Sequence, residues 1–379
     1  MVDYLWGPAL AFFLSAIGVG VTFLYTRRVG LLDMPNYRSS HRVPTPRGGG
    51  IALVASVFVL GAYAFVRAQQ FSAGRFALLA AAGMVLTVVG WLDDRKTIRV
   101  AFRLSVHLAC GLAIAALVNE ISPLPGWINV LWLAWWVFWS VASINIVNFI
   151  DGIDGMIACQ GIVYGLFIFS VMPFGSFGSS YGLILSGACL GFLIWNWPPA
   201  KMFMGDVGSG PLGLFFVLGG ALALESTKSV LVFLPLFPIF LDALLTIVVR
   251  FRRGEDLTDP HRSHLYQRLA NGGAGHAPVT LAYGLFAALG AVVAFSVKNA
   301  TPLAMASAIA AYCAVVMLAW KVGDSRFPTV SRSSRAETVI PPMQPIRGDA
   351  LSAQANAAVT ERGIKDSPKT LEENHSQRR

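Results

Sequence analysis

Apolar residues along this 379-residue chain come in long runs, separated by short polar loops. A membrane-crossing helix needs about 20 mostly apolar residues. About eleven such runs start near Leu5, Gly50, Phe76, Leu104, Trp127, Ile157, Tyr181, Gly208, Val230, Val279 and Pro302. The sixth to eighth are short and Gly-rich, which membrane helices tolerate where neighbours satisfy the freed backbone groups. The pattern predicts an all-α, polytopic transmembrane bundle over residues 1–321. The first run lacks a basic leader and a small-residue cleavage site, so it reads as a membrane helix and not as a removed signal peptide.

From Val322 the apolar periodicity stops and Ser, Arg, Glu, Gln and Asn dominate. Such a composition cannot offset the entropy of ordering, so residues 322–379 are expected to be a disordered cytoplasmic tail.

Composition agrees with the pattern. Hydrophobic residues make up 55% and charged residues 13%, against roughly 25% charged in soluble domains. The net charge of +9 is then a topology signal before it is a nucleic-acid signal, and no RNA or DNA motif accompanies it. Arginines and lysines crowd alternate loops: Arg27 to Arg47, Arg95 to Arg103, and Arg250 to Arg268. The intervening loops are nearly bare. This alternation places the N-terminus outside and the C-terminus in the cytoplasm. Cys110, Cys159, Cys189 and Cys313 lie inside apolar runs without CxxC spacing, so neither a disulfide frame nor a zinc site is indicated.

Every polar cluster of interest then falls on one membrane face. The densest is N-I-V-N-F-I-D-G-I-D-G, Asn145 to Gly155. Its polar residues recur every third position, which drifts about 60° per step around a helix. One helical face cannot hold all four. Asn145 and Asn148 fit the last helical turn, Gly152 and Gly155 break the chain, and Asp151 and Asp154 curl back over that end. A solvated C-cap is the plainer alternative.

Asp93 and Asp94 close the third run in G-W-L-D-D-R-K, as candidates for divalent metal, proton abstraction or surface pairing. Asp206 stands in F-M-G-D-V-G-S-G, where glycines admit a ligand to the backbone but GK[ST] is missing. Phe203 there is packing or a platform for a base, and Asn196 and Lys201 add polar groups. His261, Arg262 and His264, in D-P-H-R-S-H-L-Y-Q, suit phosphate contact better than zinc, which would need a third ligand; a basic juxtamembrane patch attracted to anionic lipid is the alternative. Asp33, Asn36, Arg38, His41, Thr45 and Arg47 lead into Gly48-Gly49-Gly50 as a further basic entry. Together these point to a cytoplasmic metal–phosphate site that also reaches a lipid.

These motifs, in this order, resemble the polyprenyl-phosphate N-acetylhexosamine-1-phosphate transferases, the WecA/MraY family, over about residues 30–320. N-W-P-P-A-K-x-F-M-G-D-V-G-S-G and H-R-S-H-x-Y-Q look most like its WbpL-type branch, associated with O-antigen initiation and UDP-linked N-acetylated deoxy-aminosugars. The resemblance implies that undecaprenyl phosphate attacks a UDP-sugar at the bacterial inner membrane, releasing UMP. It implies a Mg²⁺ cofactor, with Mn²⁺ as a substitute, held by Asn148 and Asp206. Asp93 and Asp94 would orient or deprotonate the lipid phosphate, and Asp151 would join them as a catalytic acid. Asp154 and Phe203 would meet the uracil, with Asn196 and Asn145 nearby. His261, Arg262 and His264 would contact phosphates or sugar, and a homodimer is compatible with this picture. Departures exist: His107 replaces an expected Gln, and H-R-S-H replaces a run of three histidines, which argues against a muropeptide substrate.

A transporter or lipid flippase is the rival reading. It needs polar groups at mid-membrane depth, and Asp242 is the clearest. A packing or loop-anchoring role for Asp242 is the reading preferred over catalysis.

Overall fold

The computed structural model describes residues 2–35, 40–41, 43–68, 72–121, 123–256 and 261–328. Its helices are α1 (Val2–Val29), α2 (Gly50–Ala68), α3 (Ala73–Asp93), α4 (Val100–Ile121), α5 (Gly126–Ile150) and α6 (Met156–Val171). There follow α7 (Phe177–Asn196), α8 (Asp206–Thr227), α9 (Phe237–Arg252), α10 (Leu265–Leu269), α11 (His276–Ser296) and α12 (Pro302–Arg326). A 3₁₀ turn, Val230–Leu236, runs straight into α9. Between α1 and α2, strands β1 (Leu32–Asp33) and β2 (Thr45–Pro46) pair antiparallel.

The protein is thus an all-α, multi-pass membrane bundle. Among the described residues 10 helices are long and apolar enough to cross a membrane, taking Val230–Arg252 as one. The remaining expected span, α6, has only 16 residues. It rises about 24 Å, short of a hydrocarbon core of about 30 Å. At the other boundary, α12 continues to Arg326, past the expected end at residue 321. The predicted tail from residue 329 onward lies outside the described residues, as do Asn36 and Arg38.

α8 is the central helix. Every residue from Val207 to Ala223 is buried. A helix apolar on all sides has no face to give to solvent, so it is enclosed by others. It packs against α3 and α5 most extensively, while α1 and α6 flank α7. The small residues of α7 let α1 approach, with Gly187 and Gly191 facing the carbonyls of Pro8 and Phe12.

Successive spans reverse direction, so the α1–α2, α3–α4, α5–α6, α7–α8 and α9–α11 loops share one end. Backbone hydrogen bonds tie two of these loops together. Phe203 N–H donates to Pro46 O at 2.9 Å, and Gly49 N–H and Gly50 N–H donate to Phe203 O and Met204 O at 2.9 Å each.

Candidate active site

At that end α3 and α8 meet through a small residue. A side chain at Gly90 would run into the Asp206 backbone, so only glycine lets the start of α8 rest on α3. The turn before α8 needs Gly205 at φ +76°, a conformation that side chains disfavour. Asp94, the C-cap of α3, then accepts hydrogen bonds from Asp206 N–H at 2.9 Å and Val207 N–H at 3.1 Å. One carboxylate thereby caps the N-terminus of the central helix, where negative charge is favoured.

Two arginines flank Asp206. Arg47 reaches Asp94 Oδ1 through Nε at 2.8 Å and Asp206 Oδ1 through Nη2 at 2.7 Å. Arg103 lies 2.5 Å from Asp93 Oδ2 and 3.5 Å from Asp206 Oδ2. Asp93 also accepts from Ile98 N–H at 2.6 Å. Burial pushes the Asp94 carboxyl above the usual carboxylate range, against the pull of Arg47. Burial also works against the Arg47 charge, but Asp94 and Asp206 override it and raise its pKa.

Helix α5 ends at Ile150, and Asp151 and Asp154 turn back as expected before Gly155 at φ +77°. Asn148 Nδ2 donates to Ser209 Oγ at 2.9 Å, fixing the amide against α8. The Asp151 carboxylate has no hydrogen-bond or ion-pair partner among the described residues, although its backbone N–H donates to Val147 O at 3.1 Å. Burial raises its pKa well above the ordinary value of 3.8, with Arg47 opposing and Asp206, Asp94 and Asp154 adding to the rise. A carboxylate left alone in a cleft beside other acids is a mark of function.

Asp154 closes the next layer. Its Oδ2 accepts from Ala200 N–H at 3.0 Å and lies 3.2 Å from His276 Nδ1, while Thr280 donates to its carbonyl at 2.8 Å. Asn196 accepts from Gly155 N–H at 2.8 Å and donates to Met202 O at 2.9 Å. The α5–α6 loop, the α7–α8 loop and the start of α11 are therefore locked together.

These groups enclose a polar cavity of about 310 Å³, lined by Arg47, Asn148, Asp151, Asp154, Asn196, Phe203 and Asp206 among others. A smaller crevice of about 30 Å³ lies beside it, with Asp93, Arg103, His107 and Asn145 next to Leu86, Val89 and Ile144. Asn148 and Asp206 line both. Asn145 Nδ2 stands 3.1 Å from His107 Nδ1 in the crevice, away from the larger cavity.

The basic loop is placed differently from expectation. His264 is 2% exposed, its ring beside Phe149, His261 and Tyr266, and burial lowers its pKa. Arg262 is exposed, and none of His261, Arg262 and His264 lines either cavity. The physical reason is an anchor that pulls the loop inward. Asp242 accepts from Leu265 N–H at 2.9 Å, Tyr266 N–H at 3.1 Å and Tyr283 Oη at 2.8 Å. Asp242 is thus committed to holding this loop, and the loop presents Gln267 to the cavity.

Among the described residues no three His, Cys, Asp or Glu side chains cluster as a metal site. Mg²⁺ usually takes only one or two carboxylates besides waters and substrate phosphate. Asn148, Asp151 and Asp206 all line the larger cavity, and their hard oxygens are a donor set that would suit such an ion. Oxygen donors also outnumber the cations, since four carboxyl groups (Asp93, Asp94, Asp151, Asp206) face two guanidiniums.

Comparison with known proteins decides the family. Residues 76–226 match the Glycosyl transferase family 4 model. A Bacillus subtilis protein named "Probable undecaprenyl-phosphate N-acetylglucosaminyl 1-phosphate transferase" is 30% identical over 302 residues, covering 72% of this chain and 79% of the relative. The chain belongs to glycosyl transferase family 4. Its motifs place it with the polyprenyl-phosphate N-acetylhexosamine-1-phosphate transferases of that family. The decaprenyl-phosphate N-acetylglucosaminephosphotransferase of Mycolicibacterium smegmatis is 32% identical over 295 residues, 66% of this chain and 71% of that one. The undecaprenyl-phosphate alpha-N-acetylglucosaminyl 1-phosphate transferase of Escherichia coli K12 is 27% identical over 300 residues, 71% and 78% respectively.

Several residues that shape the transferase's site escape a reading of its sequence. Arg103 reads only as a topology charge, although it stands in the first turn of α4 opposite Asp93. Ser209 and Gln267 lie in the F-M-G-D-V-G-S-G and D-P-H-R-S-H-L-Y-Q motifs without being distinctive residue types. His276 carries a weak signal, a histidine opening a helix just after Gly275.

Proposed function

We propose that the protein transfers N-acetylhexosamine 1-phosphate from a UDP-sugar to undecaprenyl phosphate, releasing UMP. A lipid phosphate oxygen bonds to the sugar-bearing phosphorus as the bond from that phosphorus to the bridging oxygen breaks. The bridging oxygen leaves with UMP. The observation that carries this reading is the unpartnered Asp151 in a cavity that shares Asn148 and Asp206 with a second crevice. Two phosphates approaching from two cavities would meet at that wall.

The larger cavity suits the nucleotide sugar. Phe203 offers an aromatic face there, and Asp154 and Asn196 hold the backbone beside it. The crevice suits the lipid phosphate, with Arg103 as its cation and Leu86, Val89 and Ile144 as apolar neighbours for the prenyl chain. Asp93 keeps Arg103 oriented through the 2.5 Å contact. Bound Mg²⁺, which Mn²⁺ could replace, would be held by Asn148, Asp151 and Asp206 and would neutralise charge on the phosphates.

The positive-inside distribution supports a cytoplasmic site on the bacterial inner membrane. The sugar is an N-acetylated hexosamine, with deoxy-aminosugars favoured by the motifs around Asn196 and His264. Its product would start an O-antigen or related cell-envelope glycan. Purified protein given undecaprenyl phosphate, Mg²⁺ and a panel of UDP-N-acetylhexosamines should yield UMP and a lipid-linked sugar diphosphate by mass spectrometry. EDTA should abolish both. A folded, correctly inserted protein that turns over no donor in the panel contradicts the proposal.

A further inference from the structure

Arg47 stands apart from the other basic groups of the site. Its backbone is fixed, because the strap on either side of it is stitched to the α7–α8 loop through Phe203 and Met204. Its guanidinium touches carboxylates from two helices, the C-cap of α3 and the first residue of α8. It also faces the unpartnered Asp151 across the same cavity wall. Asp206 Oδ1, one of the oxygens suited to a divalent cation, is therefore already engaged by an internal cation.

We propose that Arg47 is a tethered counter-cation that sets how tightly the site takes a divalent metal. This rests on the reading of Asn148, Asp151 and Asp206 as the metal-facing wall. With no metal bound, Arg47 keeps Asp94 and Asp206 together and stops their mutual repulsion from prising α3 from α8. With metal present, the same guanidinium competes for Asp206 and repels the incoming positive charge. Arg47 is thus a positioning residue that trades metal affinity for a site preassembled before substrate arrives. The geometry allows this because the arginine sits on a separate loop. It can yield Asp206 while Nε stays on Asp94.

A purely structural arginine would show the opposite sign. Loss of a residue that merely shapes a metal site loosens the site and weakens metal binding. Loss of a competing cation strengthens it. Two unit charges a few ångströms apart in a partly wet site interact by about 1–4 kcal/mol, so removal should tighten metal binding on the order of tenfold.

The test is Mn²⁺ binding to the purified, substrate-free protein by electron paramagnetic resonance, for the native chain, Arg47→Gln and Arg47→Lys. Arg47→Gln should bind Mn²⁺ about tenfold more tightly. It should melt at a lower temperature in EDTA and regain more of that loss on adding Mn²⁺ than the native chain gains. Arg47→Lys should return the affinity toward the native value and serves if Arg47→Gln fails to fold, since lysine keeps the charge but not the two-carboxylate fork. Unchanged or weaker Mn²⁺ binding in folded Arg47→Gln overturns the proposal, as does an Arg47→Lys that binds Mn²⁺ as Arg47→Gln does. If only Arg47→Lys folds, an affinity more than tenfold below the native value overturns it. No Mn²⁺ binding to the native chain would instead remove the metal-facing wall itself.

Discussion

Asp151 has the most to lose in stability and the most to give in chemistry. Its carboxylate is partnerless and its pKa is raised by burial beside other acids. A group whose folded-state value lies above its unfolded value contributes stability below the unfolded value, and that contribution is lost as pH rises through the folded one. In its ionised form Asp151 therefore destabilises the fold. Asp151→Asn should reduce turnover by about a thousandfold or more, the scale of a lost electrostatic group in an active site. The same variant should melt at or above the native temperature. Its thermal advantage should grow as pH rises and shrink as pH falls, across the range where both proteins stay folded, as the native carboxyl takes up its proton. Melting curves of both proteins across that range check the sign, and an advantage that grows with acid would contradict it. Residues of this kind are legible in sequence because Asn148, Asp151 and Asp206 sit in dense polar motifs between apolar runs. Arg103 and His276 are not, because an isolated charge takes on a role only when the fold supplies Asp93 or Asp154 as its neighbour.

At the scale of elements, the site depends on close approaches and anchors. Gly90 lets α8 begin on α3, so Gly90→Leu should force the two apart. Overpacking costs about 1–3 kcal/mol. Thermal melting should show that loss, together with a turnover defect larger than the stability loss explains, because Asp94 would no longer cap α8. Asp242 anchors the loop that carries Gln267 to the cavity. Asp242→Asn should cost about 1.5–3 kcal/mol, the range for hydrogen bonds to a charged group. It should raise KM for the sugar donor more than it lowers kcat. A kcat loss with unchanged KM would instead return Asp242 to the chemistry. Hydropathy shows the order of the spans because lipid demands about 20 apolar residues for each. It cannot show that α6 stops at 16 residues. Nor can it show that α12 runs through polar residues to Arg326, where Arg268 meets Asp324 at 2.7 Å. Such ends are held by tertiary contacts that composition does not encode. The inward turn of His264 has the same origin, since its cause is Asp242 on another helix.

Across the bundle, the site is assembled by convergence. Acids from the end of α3, the α5–α6 turn and the start of α8 meet at one end of the bundle, although Asp93 and Asp206 lie far apart in sequence. The alternation of charged and bare loops already predicts that these segments share a face. Only the fold brings Arg47 and Arg103 to opposite sides of Asp206. A transporter would need a polar path at mid-membrane depth. Asp242, its best candidate, is instead bound to the backbone of the α9–α11 loop. The most direct measurement follows UMP and lipid-linked sugar diphosphate together, in nanodiscs holding the native chain or Asp206→Asn, with the donor accepted by the native protein. The native chain should form the two products in equal amounts, and Asp206→Asn, inserted at the same level, should form neither. Product at the native rate from Asp206→Asn would contradict a single shared site for the phosphoryl transfer.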